Sequence, residues 1–212
     1  VVLTPLFPQD LARMREWLGP RLVEAMPSVA AYANDQGVVR YWVSRFPGTL
    51  LDRDHATAPV LQLAGALSAA GIRTNLQADV AATNLATTIV FLPLVIALDG
   101  HGTIAKAMTD DQGLELAVAA MGECRRVARQ VGKLPMSFVW LERLASVQRL
   151  RWTVRMMQRF QPEPLHFFDV HFGSKTRRQN AQLAGQVLRL GQDKGVTLDA
   201  FRALVARGSG PD

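Results

Sequence analysis

Residues 84–98 read NLATTIVFLPLVIAL, and no Lys, Arg, Asp or Glu occurs between Val80 and Leu98. A helix built from such a run is apolar around its whole circumference and must be covered on nearly all sides. Three environments provide that cover: a membrane, a protein core or the wall of a dry pocket. A spanning helix needs about 20 predominantly apolar residues with interfacial anchors at its ends. Here the run follows Asp79, begins with Asn84, contains Pro93 and closes on Asp99 and Gly100, with no flanking Lys/Arg cluster. The expectation is a buried helix bent at Pro93, and no membrane partner.

The remaining composition narrows the class. The chain has 212 residues, the length of one large domain or two modest ones. With 49% hydrophobic and 20% charged residues, it falls among ordinary globular chains. A formal charge of +6 raises the question of an anionic partner. Arginine is spread over many segments, however, and neither a helix-turn-helix nor an aromatic-interleaved basic motif is evident, so no nucleic-acid partner is expected. A single cysteine, Cys124, rules out an internal disulfide and a cysteine-rich zinc site and fits a cytoplasmic location. The histidines, at 55, 101, 166 and 171, form no HExxH spacing, so no metal site is expected.

Two kinds of segment follow one another along the chain. Residues 1–3 read as a buried strand, 10–19 as a short helix, and 22–26 and 28–33 as β runs. The turn sequence Asn34-Asp35-Gln36-Gly37 and the β-branched, aromatic run 38–43 predict a hairpin. A further strand is expected near 48–51, a helix over 58–70 stopped by Gly71, and a short strand over 72–76. After Asp79 the strand signals nearly vanish. Asp79 and Asp110 are placed to cap long helices, the second running to Val131 before Gly132. Helices are also expected within 135–160, over 174–194 and over 198–206. Gly100-His101-Gly102 reads as a helix break, Cys124 as a buried thiol, and Trp140, Trp152, Phe160 and Met156-Met157 as core or interface residues.

This order of features, with LAGALSAAGIRTNLQADVAATNLATTIVFLPLVIAL over 63–98 and KTRRQNAQLAGQVLRLGQDKGV over 175–196, resembles the ketopantoate reductases (2-dehydropantoate 2-reductases). The resemblance runs from Val1 to about Leu204 and lies in order and spacing. It implies an α/β part followed by an all-α part. Residues 1–78 would be the C-terminal portion of a Rossmann-like dinucleotide-binding domain, whose glycine-rich loop would precede Val1. Residues 79–212 would be an all-helical substrate and dimerisation domain of the ketopantoate reductase and 6-phosphogluconate dehydrogenase type. NADP is the implied cofactor, with its binding residues unassigned in this chain. A small oxo compound is the implied substrate, and a homodimer is allowed for.

The family's functional positions carry over one at a time. Counting back from Pro93-Leu94, its general-acid Lys falls on Asn84. Two Asn residues of the same helix fall on Thr88 and Leu92, and an acidic residue that holds the substrate hydroxyl falls on Gln179. Each of these polar positions has changed. Asn donates a hydrogen bond but does not deliver a proton, whereas ketone reduction needs a proton or a strong stabiliser for the developing oxyanion. Ketopantoate is therefore not the expected substrate. Replacement groups are sought in the stretch His171 to Gln179: His171 and Lys175 as proton donors, with Arg178, Gln179 and Thr88 as substrate ligands and Asn84 beside them. Cations in the first turn of a helix oppose its macrodipole, which suggests an anion there unless Glu163 and Asp169 neutralise them.

Two functions from different classes remain. One is an NADP-dependent reductase acting on an unknown 2-oxo acid or ketone. The other is a non-catalytic relative that keeps the fold and serves as a nucleotide-binding or interaction module.

Overall fold

The computed structural model describes residues 1–33, 36–44, 48–54, 56–134, 146–160, 162–172 and 176–208, with backbone only at 171 and 172. The chain divides into two compact units: Val1–Ala86 with Val131–Ser137, and Thr87–Gln130 with Phe138–Asp212. Helix α3 begins in the first unit and continues in the second.

The first unit holds helix α1 (Pro8–Leu18), five short strands and helix α2 (Ala58–Ala69). Strands β1 (Ala25–Met26), β4 (Thr49–Asp52) and β5 (Thr74–Gln77) form one sheet in the order β1-β4-β5. β1 runs antiparallel to β4 with Ala25 opposite Leu51, and β4 runs parallel to β5 with Leu51 opposite Leu76. α2 is the crossover that a parallel pair requires. All four residues of β4 are buried, because β4 is the central strand. Val23, Ala25, Leu51 and Val60 form a core cluster, with Ala64 against it.

The expected hairpin is present: β2 (Val29–Ala33) pairs antiparallel with β3 (Val39–Val43), from Val29 opposite Val43 to Ala33 opposite Val39. The expected strand at 1–3 shrinks to one parallel bridge, Val2 to Glu24, with Val1 and Leu3 59% and 52% exposed. Apolar, β-prone side chains do not make a buried strand when no neighbour covers their outer face. Similarly, within 22–26 only Ala25 and Met26 form a strand, paired with Leu51 and Leu50 of β4.

α3 (Val80–Asp99) is one helix of 20 residues that passes through Pro93. By length and composition it could cross a membrane, with mean hydropathy 2.0, yet 72% of its apolar window is buried in the fold. Val80, Ala86 and Ile89 are fully covered. Full burial of a side chain such as Ile89 or Leu92 contributes about 1.5–3 kcal/mol, so this helix is a principal source of core energy. Asp79, just before it, has φ of 54°, and its carbonyl accepts the Thr83 N–H at 3.0 Å.

The second unit continues with α4 (Ile104–Ala107), α5 (Asp111–Val131), α6 (Val147–Phe160), α7 (Pro162–Phe172), α8 (Arg177–Asp193) and α9 (Asp199–Gly208). The helix break at Gly100-His101-Gly102 is a turn in which His101 N–H and Gly102 N–H both donate to the Leu98 carbonyl, and Gly102 takes φ of 71°. Leu98, Ile104, Ala107, Val154 and Leu165 form its core cluster. Cys124 is buried, and desolvation pushes its thiol far above the usual range, as expected of an inert core thiol. Trp152 and Phe160 are 62% and 66% exposed, so neither is a core residue; Trp140 lies outside the described residues.

Gly132, immediately after α5, lies so close to α3 that an added Cβ would stand 2.6 Å from the Ala82 carbonyl oxygen. The neighbour there is backbone, so the clash cannot be relieved by a side-chain rotation. Gly132→Ala is therefore expected to destabilise the protein by about 1–3 kcal/mol, read as a lower urea midpoint. An unchanged midpoint would show that this contact is not tight.

Candidate functional site

The polar residues near the start of α3 anchor it to the sheet of the first unit. Asn84 is 7% exposed, and its Nδ2 donates to the Ala25 carbonyl at 3.3 Å. Gln77 at the end of β5 donates through Nε2 to Thr83 Oγ1 at 2.8 Å. Such buried polar groups need partners, since an orphaned one costs about 1–3 kcal/mol. Asn84 thus has a structural task where the resembled family has its acid.

Beside Ala25 lies a feature that the sequence reading missed. Glu24 and Asp52 face each other across β1 and β4, with the Asp52 N–H donating to the Glu24 carbonyl at 3.1 Å. Both side chains are buried. Desolvation raises the Glu24 carboxyl above its ordinary range, a hydrogen bond with Asp52 adds to the rise, and the Arg15 guanidinium opposes it. Arg15 Nη2 reaches Glu24 Oε1 at 3.2 Å from α1. A carboxyl–carboxyl hydrogen bond requires a proton between the two groups, so this pair can hold one. The signal in the sequence was an acid beside apolar residues in each of two strand segments, LVEAM and TLLD.

In the second unit, polar contacts gather at the other end of α3. Asp99 is buried; its Oδ2 accepts from Asn180 Nδ2 at 2.7 Å, and its backbone carbonyl accepts from Arg177 Nη2 at 3.3 Å. Its Oδ1 has no hydrogen-bond partner. Burial is the main influence and raises the Asp99 carboxyl, while Asn180 and Arg177 pull it down. Arg177 explains why cations are tolerated in the first turn of α8: it serves the carbonyl end of α3, where the helix dipole favours a cation. Asp169 Oδ1 accepts the Ile104 N–H at 2.7 Å, at the start of α4.

Of the predicted site residues, Asn84 belongs to the first unit, and Thr88, Arg178 and Gln179 to the second. Thr88 is half-buried on α3, eleven residues before Asp99, or about 16 Å along the helix axis. Arg178 and Gln179 are exposed in the first turn of α8, beside Asn180, which is tied to Asp99. Asn84 lies one turn before Thr88. The backbone of His171 is in α7, and Lys175 lies outside the described residues.

An open cleft of about 290 Å³ lies within the second unit, lined by Ile96, Gly100, His101, Asp110, Gly113 and Arg207 among others. Its charges are matched internally. Asp110 caps α5 by accepting the Gly113 N–H at 3.0 Å, takes Arg207 Nη2 at 3.0 and 3.1 Å, and meets His101 Nε2 at 3.1 Å. The Gly113 N–H is the largest cause holding the Asp110 carboxyl below its ordinary range; Arg207 and His101 add to it, and burial works against it. These contacts fasten α9 and the turn after α3 to the start of α5. No cluster of His, Cys, Asp and Glu fit for a metal occurs among the described residues.

Asp99 and Asp110 give opposite pH signatures. The folded value of Asp99 lies above its unfolded value, so its contribution is full below the unfolded value and is lost as pH rises through the folded one. Asp110 is lowered, so its contribution is present above the unfolded value and is lost as pH falls through the folded one. Asp99→Asn should leave the protein at least as stable as wild type at pH 7, with the difference vanishing in acid. Asp110→Ala should cost about 1–2 kcal/mol at pH 7, the size of a lost N-cap, and less in acid. Melting temperatures from pH 3 to 8 test both; a destabilised Asp99→Asn at pH 7 would mean that the ionised carboxylate is favourably paired.

No family model matches the sequence, and no curated protein matches it. Among solved structures, the chain is similar to a protein from Ralstonia solanacearum MolK2 described as a "putative ketopantoate reductase", with a TM-score of 0.56 and 14% identity. The match covers 93% of this chain and 57% of that one, so the chain spans somewhat over half the length of that protein. At such identity the likeness concerns the fold alone. The chain is mostly helical with a small sheet and is distantly related in fold to that ketopantoate reductase-like protein.

Proposed function

We propose that this chain belongs to an oxidoreductase of the ketopantoate reductase type that reduces a 2-oxo acid or ketone other than ketopantoate with NADP(H). The observation that carries this reading is the likeness of fold over 93% of the chain. The changed polar positions, Asn84, Thr88 and Gln179, argue against ketopantoate itself.

A reduced nicotinamide, when bound, supplies a hydride to a carbonyl carbon. The described residues here do not form its phosphate cradle. The turns that lead into α1, α2 and α3 carry no glycine among the described residues, whereas phosphate loops depend on glycine for close backbone approach. The cofactor therefore rests on the resemblance. The chain's own contribution would be to bind and orient an oxo substrate. Arg178 and Gln179, exposed at the N-terminus of α8, offer a cation and an amide for a carboxylate.

The second reading, a non-catalytic relative, is favoured by one observation: the Asn84 amide is buried and bound to the Ala25 carbonyl. A residue so engaged holds the fold and moves no proton.

Fluorescence titration of the full-length protein with NADPH separates the two. Saturable binding, followed by turnover with one of a panel of 2-oxo acids, is the expected result; absence of binding at millimolar cofactor overturns the reductase reading. Asn84→Lys adds a structural check. Loss of the amide leaves the Ala25 carbonyl unpaired, so the variant should lose about 1–3 kcal/mol of stability. Gain of ketopantoate reduction by that variant would instead place position 84 in a working catalytic site.

A further inference from the structure

We propose that the outer face of α6 is a peripheral contact site for an anionic lipid surface. α6 reads VQRLRWTVRMMQRF. Its inner side carries Val154, which packs with Leu98, Ile104, Ala107 and Leu165, and Met157 lies against that cluster. Trp152, Met156 and Phe160 recur every fourth residue and so form one stripe. That stripe points outward: the three side chains are 62%, 36% and 66% exposed. Arg155 and Arg159, one turn apart, are exposed along one edge of it, and the Arg159 guanidinium stands 5.9 Å from the Phe160 ring centre. Arg151 is turned the other way, donating to the Met108 carbonyl and to Asp111. α6 contains no Asp or Glu; the next acid along the chain, Glu163, lies in α7. The sequence alone showed no aromatic-interleaved basic motif, because arginines and apolar residues alternate along the chain and gather on one face only when it is coiled.

Charge and size select the occupant. A second copy meeting this face through a two-fold axis would set arginine against arginine, which is repulsive. From Trp152 to Phe160 the stripe runs about 12 Å, and it stands on a convex helix. A stable protein interface needs about 800 Å² from each partner, so a protein occupant would have to extend well beyond this stripe. Single-stranded nucleic acid is held in a basic groove, which a ridge lacks. An anionic bilayer has no such limits. Its phosphates meet the arginines, and Trp and Phe settle at the boundary between headgroups and acyl chains. Three apolar side chains with the charges of Arg155 and Arg159 give reversible attachment. This departs from the absence of a membrane partner expected from the sequence.

The test uses the 212-residue protein with vesicles of phosphatidylcholine, with and without phosphatidylglycerol, read by co-sedimentation. Binding is expected only to the anionic vesicles, with loss at high salt. Arg155→Gln with Arg159→Gln should weaken it by roughly 25-fold, taking about fivefold for each basic residue. Trp152→Ala with Phe160→Ala should weaken it too, at unchanged salt dependence. All four side chains are exposed, so melting temperatures should be unaffected. Failure to bind anionic vesicles, equal binding to neutral ones, or indifference to both double substitutions overturns the proposal. So does preferential binding of a single-stranded oligonucleotide at this face.

Discussion

Helix α3 has no charged residue between Val80 and Leu98, and that constrains what must pack against it. A helix that is apolar all round has no face to offer water, so its neighbours must supply cover along its length. Its polar side chains are therefore few, in its first half and at Asp99, and the bonds they make are specific. Near the start, Asn84 finds the Ala25 carbonyl and Thr83 finds Gln77. At the far end, Asp99 finds Asn180 and Arg177. In a dry interior the alternative to each bond is an unpaired group. These contacts accordingly fix how far α3 slides against its partners, which greasy contacts alone would not. Gly132 against Ala82 has the same effect by steric means.

Much of this was legible from residue order because it is local. Helix ends followed glycine and capping residues: the Asp110 cap, the Gly100 break and the stop before Gly132 all fall where short-range rules put them. The hairpin followed from a turn sequence between β-prone runs. What stayed hidden is non-local. Asn180 and Asp99 are 81 residues apart, and nothing in either segment announces the other. Glu24 and Asp52 meet only because β1 lies beside β4. Helical period likewise gives the grouping of Trp152, Met156 and Phe160 but not the direction in which the group points. Both a core stripe and a surface stripe have that period, and only the position of Val154 against the core decides between them.

The cation-rich start of α8 shows how a correct physical observation can have two causes. Cations at a helix N-terminus are unfavourable taken alone, and an anion is one remedy. The structure supplies another for Arg177, which reaches past its own helix to the carbonyl end of α3. The favourable dipole of one helix offsets the unfavourable dipole of the other. Arg178 and Gln179 remain exposed and are not absorbed by this arrangement.

The replacement at position 84 carries a chemical consequence. A Lys there, at 7% exposure, would have to shed water from an ammonium, and burial disfavours the charged form. That is how a catalytic lysine is tuned towards giving up its proton near neutrality. Asn has no proton to tune, and its amide goes to the Ala25 carbonyl. The neighbouring residue on that strand, Glu24, has a carboxyl that burial and Asp52 keep protonated to higher pH than an exposed glutamate. The start of α3 is thus a fastener to the sheet, and the proton-holding pair Glu24 and Asp52 lies beside the residue that Asn84 grips.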